Sequence, residues 1–279
     1  DGIRIDGISG KRTVPVRATA RVSELPDADI VLIATKAYDT EKAVLDVAGA
    51  VGPETPVVTL QNGLGNVEII SRTVGSDKTI GGITSQGANV VGPGSIIHAG
   101  TGKTIIGTPA NRPTIYLEKA KAVLETGGFE PQLSFDLEGT IWSKLVINVG
   151  INALTGILRV RNGNLLDYAD SRRIMKQAVE EAVAVARAKG VKLAYDDPLA
   201  RTEEVCRLTA ENISSMLQDV LAGRQTEIEA INGAVAWLAG GVEVQAPVNE
   251  LLAALVRAIE QSFNVRVSQA EQDLEIPPG

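Results

Sequence analysis

A lysine and two asparagines at intervals of four interrupt an apolar run: Trp142-Ser143-Lys144-Leu145-Val146-Ile147-Asn148-Val149-Gly150-Ile151-Asn152. The run is too apolar for a surface, so it carries an amine and two amides inward. An unpaired buried amine is costly. Its use is proton donation by a lysine whose environment shapes its acidity. In a helix these three positions fall within about 80° of one another over roughly 12 Å. In a strand the same positions also share a face, and the β-branched residues favour a strand by propensity. Length decides: the apolar pattern runs from about Leu137 to Leu158, which predicts a buried helix. The plainer account is a core helix with hydrogen-bonded amides. Lys144 is the residue that account explains worst, because lysine is almost never buried without a partner.

Four other segments have residue types suited to chemistry. Gln61-Asn62-Gly63-Leu64-Gly65-Asn66 follows an apolar strand pattern and precedes a helical one. Glycine there lets the backbone approach a ligand, and Asn62 can donate and accept. In open α/β sheets such turns bind ligands at the carboxyl ends of strands; a plain Gly-rich turn reads equally well. Lys36 ends a strand and suits a phosphate or a solvated surface position. Thr84-Ser85-Gln86-Gly87-Ala88 is a polar break in a strand. Asn212 to Asp219, followed by Gly223 to Gly233, sets small hydroxyls and Glu227 among apolar residues. Glu227 suits Lys144 as an electrostatic partner, although spacing alone slightly favours a wet face for it. His98 reads as a structural or turn residue.

These residues need elements to position them. The chain of 279 residues is long enough for two domains. Hydrophobic content of 44% with 22% charge is that of a globular protein, and 3% aromatics leaves the cores to Ala, Val, Ile and Leu. A net charge of −7 argues against a nucleic-acid surface. No apolar stretch of about 18 residues lacks charges, so no membrane span is expected. No signal peptide is seen, and the cytoplasm is the default. One cysteine, Cys206, excludes an internal disulfide framework; with one histidine it makes a zinc site or a Cys–His pair improbable.

Strand patterns at 30–35, 56–60, 79–91, 95–99, 104–107 and 131–135 alternate with helical ones at 39–51, 66–74 and 114–126. That alternation predicts a doubly wound α/β sheet. From residue 136 the chain reads as helices at 136–158, 170–189, 196–220, 224–239 and 247–263. The expected organisation is therefore α/β plus all-α: a Rossmann-like domain over 1–135 and a helical domain over 136–279. Gln269 to Gly279 is expected to be a loose tail.

Taken together, the segments resemble the ketopantoate reductase (2-dehydropantoate 2-reductase) family. The resemblance rests on Ile33-Ala-Thr-Lys36-Ala-Tyr-Asp39, Gln61 to Asn66, Thr84 to Ala88 and His98-Ala-Gly-Thr-Gly102. It continues through Trp142 to Asn152, Asn162-Gly163, Ser214 to Asp219, Thr226 to Gly233 and Pro247-Val-Asn249. The resemblance implies a dinucleotide-binding domain, a helical domain and an active site in the cleft between them. It implies reduction of 2-dehydropantoate to (R)-pantoate with NADPH, on the route to pantothenate and coenzyme A. Lys144 would then be the general acid, with Glu227 positioning it and binding the substrate hydroxyl. Asn62, Asn148, Asn152, Asn162 and Ser215 would hold substrate. Lys36, Asn62, Gly63 and Glu227 would contact NADP(H). The partner is a small 2-keto acid, with a homodimer through the helical domain considered. Two alternatives stand: a related dehydrogenase for another branched 2-keto acid, and a non-catalytic helical binding module.

One departure from the family is the opening. Gly2, Gly7 and Gly10 have the wrong spacing for a Gly-x-Gly-x-x-Gly turn and follow no buried strand. A βαβ opening of about 30 residues, which would cradle the pyrophosphate and separate NADP from NAD, is therefore expected to be absent. A piece of a longer protein is the favoured explanation, since a sheet without its middle strand would expose edges.

Overall fold

The computed structural model describes residues 2–24 and 28–265. The expected loose tail over Gln269 to Gly279 lies outside the described residues. The chain divides into two compact units. One is Asp1–Leu145 with Val191–Ala194, and the other is Val146–Gly190 with Tyr195–Gly279.

The first unit holds nine strands among the described residues. They are β1 (Ile3–Gly7), β2 (Arg12–Val14), β3 (Val31–Ile33), β4 (Val57–Thr59) and β5 (Thr79–Thr84), then β6 (Gly87–Gly92), β7 (Ser95–Gly100), β8 (Thr104–Gly107) and β9 (Pro131–Ser134). Helices α1 (Thr40–Val47), α2 (Asn66–Val74) and α3 (Ile115–Thr126) lie between them. A five-stranded sheet has the order β3-β4-β5-β8-β9, parallel except between β5 and β8. Adjacent residues on β4 explain its apolar run. Val57 joins a core with Ile33, Val44 and Ile70, and Val58 joins one with Ile80, Ile106, Leu117 and Leu124. Successive strand residues face opposite ways. Helices α1 and α2 cover one face and α3 the other, so both sets are buried.

The strand expected over 79–91 breaks at Ser85–Gln86. Its halves, β5 and β6, belong to different sheets, the second having the order β2-β1-β7-β6. The polar residues at the break were the available signal. Gly7 ends β1 in this second sheet, and Gly2 precedes that strand, packed against Val14.

The second unit is helical. Helix α4 (Leu137–Leu158), whose residues to Leu145 belong to the first unit, runs unbroken, one residue shorter than expected. Asp136 starts it by accepting the Gly139 N–H at 3.0 Å, and Asn111 accepts the Leu137 N–H at 2.9 Å. The helix is long and apolar enough to cross a membrane by length and composition, but 67% of that stretch is buried inside the protein, as in a core helix. It is followed by α5 (Ala169–Ala188), α6 (Pro198–Leu208), α7 (Ser215–Leu221), α8 (Asn232–Gly241) and α9 (Pro247–Gln261).

Two expected helices are corrected. The one over 196–220 is interrupted at 209–214, because Ser214 caps a new helix by accepting the Leu217 N–H. Backbone bonds from Asn162 to Asn212 and from Gly163 to Ala210 also hold the interruption in place. The one over 224–239 begins only at Asn232. Before it, the Thr226 N–H is taken by the Glu260 carboxylate, which lies outside any helical ladder.

A buried amide network joins the helices. Asn232 donates to the Val149 carbonyl of α4 and to Asn249 Oδ1, while Asn249 donates to the Ala178 carbonyl and to Glu181. Glu181 also accepts the Val248 and Asn249 N–H groups at the start of α9. Asn249→Ala leaves several buried groups unsatisfied, so it is expected to lower unfolding free energy by about 1–3 kcal/mol in urea titration.

The Cys206 thiol is pushed up to about 11, chiefly by burial, with Glu203 adding and Arg207 opposing. The folded state disfavours the thiolate, so folding stability is expected to fall as pH rises from the unfolded thiol value near 9.0 toward about 11. A disulfide reagent at pH 8 should leave native Cys206 unmodified and label it once the chain is unfolded in urea.

Candidate active site

The first unit gathers its polar groups at the carboxyl ends of β3, β4 and β5. The turn after β4 carries Asn62, and Gly63 and Gly65 within it have φ of 83° and 93°. Only glycine takes such angles without strain. A Cβ at Gly65 would meet nothing within 4 Å, so the backbone there is open to approach.

Hydrogen bonds hold this turn in shape. Gln61 donates to the Thr35 carbonyl at 2.7 Å and to Thr40 Oγ1 at 2.9 Å. Thr40 donates to Asn66 Oδ1 at 2.8 Å, and Asn66 donates back to the Asn62 carbonyl at 3.0 Å. Lys36 follows Thr35 at the head of a short helical turn, Ala37–Asp39, so the Gln61 bond ties its segment to the Asn62 turn.

Lys144 is half-buried on α4. Its Nζ donates to Asn62 Oδ1 at 2.8 Å and to the Thr84 carbonyl at 2.6 Å. These two oxygens are good acceptors for an ammonium. The segment of α4 around Lys144 is itself pinned. Ser143 donates to the Gly139 carbonyl at 2.6 Å and accepts the Ala194 N–H at 2.8 Å. The structure thus brings together two residues expected from sequence, Lys144 and Asn62. It adds Thr84, Gln61, Thr40 and Asn66. Thr84 contributes a backbone carbonyl, which no residue-type pattern reveals; the polar break at 84–88 was the only hint.

Of the remaining expected residues, Asn148, Asn152, Asn162, Ser215 and Glu227 lie in the second unit. Asn148 is half-buried on α4 and Asn152 is buried one turn on. Thr155 donates to the Asn152 carbonyl region and sits 2.7 Å from Ser214 Oγ, so this stretch of α4 meets the start of α7. Ser215 is the exposed first residue of α7, while its neighbour Ser214 is the cap. Asn162 is buried; its Nδ2 donates to Thr209 Oγ1 at 2.9 Å, and its Oδ1 is buried with no hydrogen-bond partner among the described residues. Asn162 is thus bonded to the 209–214 connection, and Thr155, one turn after Asn152, meets its last residue. Glu227 is buried at 7% exposure, not on a wet face. Thr226 beside it donates through both N–H and Oγ1 to Glu260, at 2.8 and 2.6 Å. Cys206 is buried in α6 and His98 is in β7, so they belong to different units.

In chemical terms the first unit offers a lysine ammonium, a flexible amide and a glycine turn at strand ends. Groups of these types at strand ends are suited to a ligand with phosphate or carbonyl oxygens.

Comparison with known proteins bears on this reading. The model of the family "Ketopantoate reductase PanE/ApbA" matches residues 1–111, and that of "Ketopantoate reductase PanE/ApbA C terminal" matches residues 136–260. The chain is 36% identical to a 2-dehydropantoate 2-reductase of Halobacterium salinarum, over 94% of this chain and 86% of that one. It is 35% identical to that of Archaeoglobus fulgidus, over 94% and 85%. Among solved structures it is similar to a PanE/ApbA family ketopantoate reductase from Ralstonia eutropha JMP134, at 30% identity and a TM-score of 0.86, covering 94% of this chain and 86% of that one. It is also similar to a D-mandelate dehydrogenase seen with NADH and anilino(oxo)acetate, at 26% identity and a TM-score of 0.87, over the same shares. With both parts of the chain matched and the lysine site in place, this protein belongs to the ketopantoate reductase family of oxidoreductases, a Rossmann-like domain joined to a helical one.

Proposed function

We propose that this protein reduces the ketone of 2-dehydropantoate to (R)-pantoate with NADPH. The observation that carries the reading is the Lys144 ammonium held on Asn62 Oδ1 and the Thr84 carbonyl at the strand ends. Reduced nicotinamide, when bound, supplies a hydride. Lys36, Asn62, Gly63 and Glu227 hold that cofactor. Lys144 donates a hydrogen bond to the keto oxygen, then delivers its proton as the oxygen takes on negative charge. A proton donor placed at the reacting atom contributes about 10²–10⁴-fold to rate.

Asn62 bridges cofactor and substrate, since its amide can donate while its oxygen accepts from Lys144. Asn148, Asn152 and Ser215 hold the carboxylate and hydroxyl groups. Asn162 offers the hydroxyl a side-chain carbonyl oxygen, its nitrogen donating to Thr209. Glu227 binds the substrate hydroxyl and acts with Lys144. Residues 1–135 serve the nucleotide and 136–279 the substrate.

A second reading keeps this chemistry and changes the substrate to another 2-keto acid, with NADH. The likeness to the D-mandelate dehydrogenase supports it. Rates on a panel of branched and aromatic 2-keto acids, with NADPH and NADH in turn, separate the two. A higher kcat/KM on an aromatic acid than on 2-dehydropantoate selects the second.

Lys144→Ala is expected to lower kcat on 2-dehydropantoate by about 10²–10⁴-fold with an unchanged melting temperature. Turnover close to that of the parent protein would remove Lys144 from the proton-donor role. Glu227→Gln should raise KM by roughly tenfold or more, the loss of a charge-assisted hydrogen bond. An unchanged KM across the keto-acid panel would return Glu227 to a packing role.

A further inference from the structure

The side chains of Thr84 to Ala88 and the segment His98 to Gly102 have no role in the proposed reaction, yet they set the peptide on which Lys144 rests. The antiparallel ladder between β5 and β8 ends at the pair Thr84–Thr104. Beyond it the chain turns into the other sheet, so the ladder does not hold the Thr84 carbonyl. Other bonds do. The Ser85 N–H donates to the Lys103 carbonyl at 2.9 Å. In a planar trans peptide the N–H and C=O point opposite ways. Anchoring Ser85 N–H therefore aims the Thr84 carbonyl away from residue 103, and it is this oxygen that receives the Lys144 amine.

The anchor itself is held by Gln86. Its Nε2 donates to the Gly102 carbonyl at 3.0 Å, and its backbone N–H donates to Thr84 Oγ1, which lies 2.9 Å from Thr104 Oγ1. With Nε2 committed to Gly102, Oε1 faces His98 Nε2 at 3.2 Å, so the histidine is the donor there. Gly102 completes the fit. A Cβ on it would stand 2.5 Å from both Ser85 Cβ and the Ser85 carbonyl oxygen. The 84–86 corner lies directly on residue 102, and only glycine leaves it room.

We propose that Gln86 and Gly102 form a clamp that aims the Thr84 carbonyl at Lys144. Gln86 is thus a positioning residue for the proton donor. The proposal rests on the reading of Lys144 as that donor.

The test is a double-mutant cycle with Gln86→Leu and Lys144→Ala, accompanied by a crystal structure of Gln86→Leu. Gln86→Leu should lower kcat roughly tenfold while KM for the keto acid changes less than about twofold. On the Lys144→Ala background it should cost nothing further, because the effect passes through the lysine. Its structure should show Lys144 Nζ beyond hydrogen-bonding distance of the Thr84 carbonyl. Gly102→Ala is a second variant with the same expected signature. Parent-like kcat in Gln86→Leu, or an equal loss on both backgrounds, overturns the clamp and leaves the donor reading standing. If Lys144→Ala itself keeps full turnover, the donor reading falls. The crystal structure then decides the clamp: an intact Lys144–Thr84 bond overturns it and a broken one upholds it.

Discussion

A charged amine on an apolar helix is the constraint around which the first unit is arranged. Taking an ammonium partly out of water costs several kcal/mol unless oxygens replace its hydration. Among the oxygens that Lys144 meets are one from a side chain and one from the backbone. The two come from different strand ends, so the lysine joins α4 to the β4 turn and the end of β5. The bonds around them make sense as supports for those two oxygens. Gln61, Thr40 and Asn66 fix the turn that presents Asn62. The 102–104 segment fixes the peptide that presents Thr84.

Helix α4 contributes to both units, and its two halves are held by different means. The first half is capped by Asp136 and tied through Ser143 to Ala194. The second half packs closely enough that a Cβ on Gly150 would stand 2.9 Å from Thr202 and Val179 side chains. Asn232 adds a hydrogen bond to the Val149 carbonyl. A helix held this way keeps successive turns at a constant rise of about 1.5 Å per residue. Glu227 is positioned with similar care. The carboxylate of Glu260 fixes both polar groups of its neighbour Thr226, and Thr226 Oγ1 in turn accepts the Ile228 N–H at 3.1 Å.

Much of this was legible in the residues alone. An unbroken apolar pattern with one lysine forced a buried helix, observed at Leu137–Leu158. Runs such as Val57-Val58-Thr59 forced strands covered on both faces. The glycine turn with Asn62 after such a strand is observed too, and it gives Lys144 one of its acceptors. These readings succeed because burial and periodicity are properties of consecutive residues. The break at 209–214 was missed because its signal, Ser214 as a cap, sits within an otherwise helical composition.

Tertiary structure decided the rest. Residue type told that Lys144 needs oxygens, but not which ones. The Thr84 carbonyl belongs to a backbone common to every residue, and only the turn of the chain from one sheet to the other exposes it. Gln86 and Gly102 acquire meaning in the same way, 16 residues apart in sequence and joined by one hydrogen bond. The burial of Glu227 could not be read from its helical spacing, because Glu260, 34 residues beyond Thr226, keeps that segment out of a helix. The sequence by itself determined which groups must be paired, since desolvation cost is a property of the side chain. Only the fold could choose their partners, because pairing is a matter of distance between segments that the sequence keeps apart.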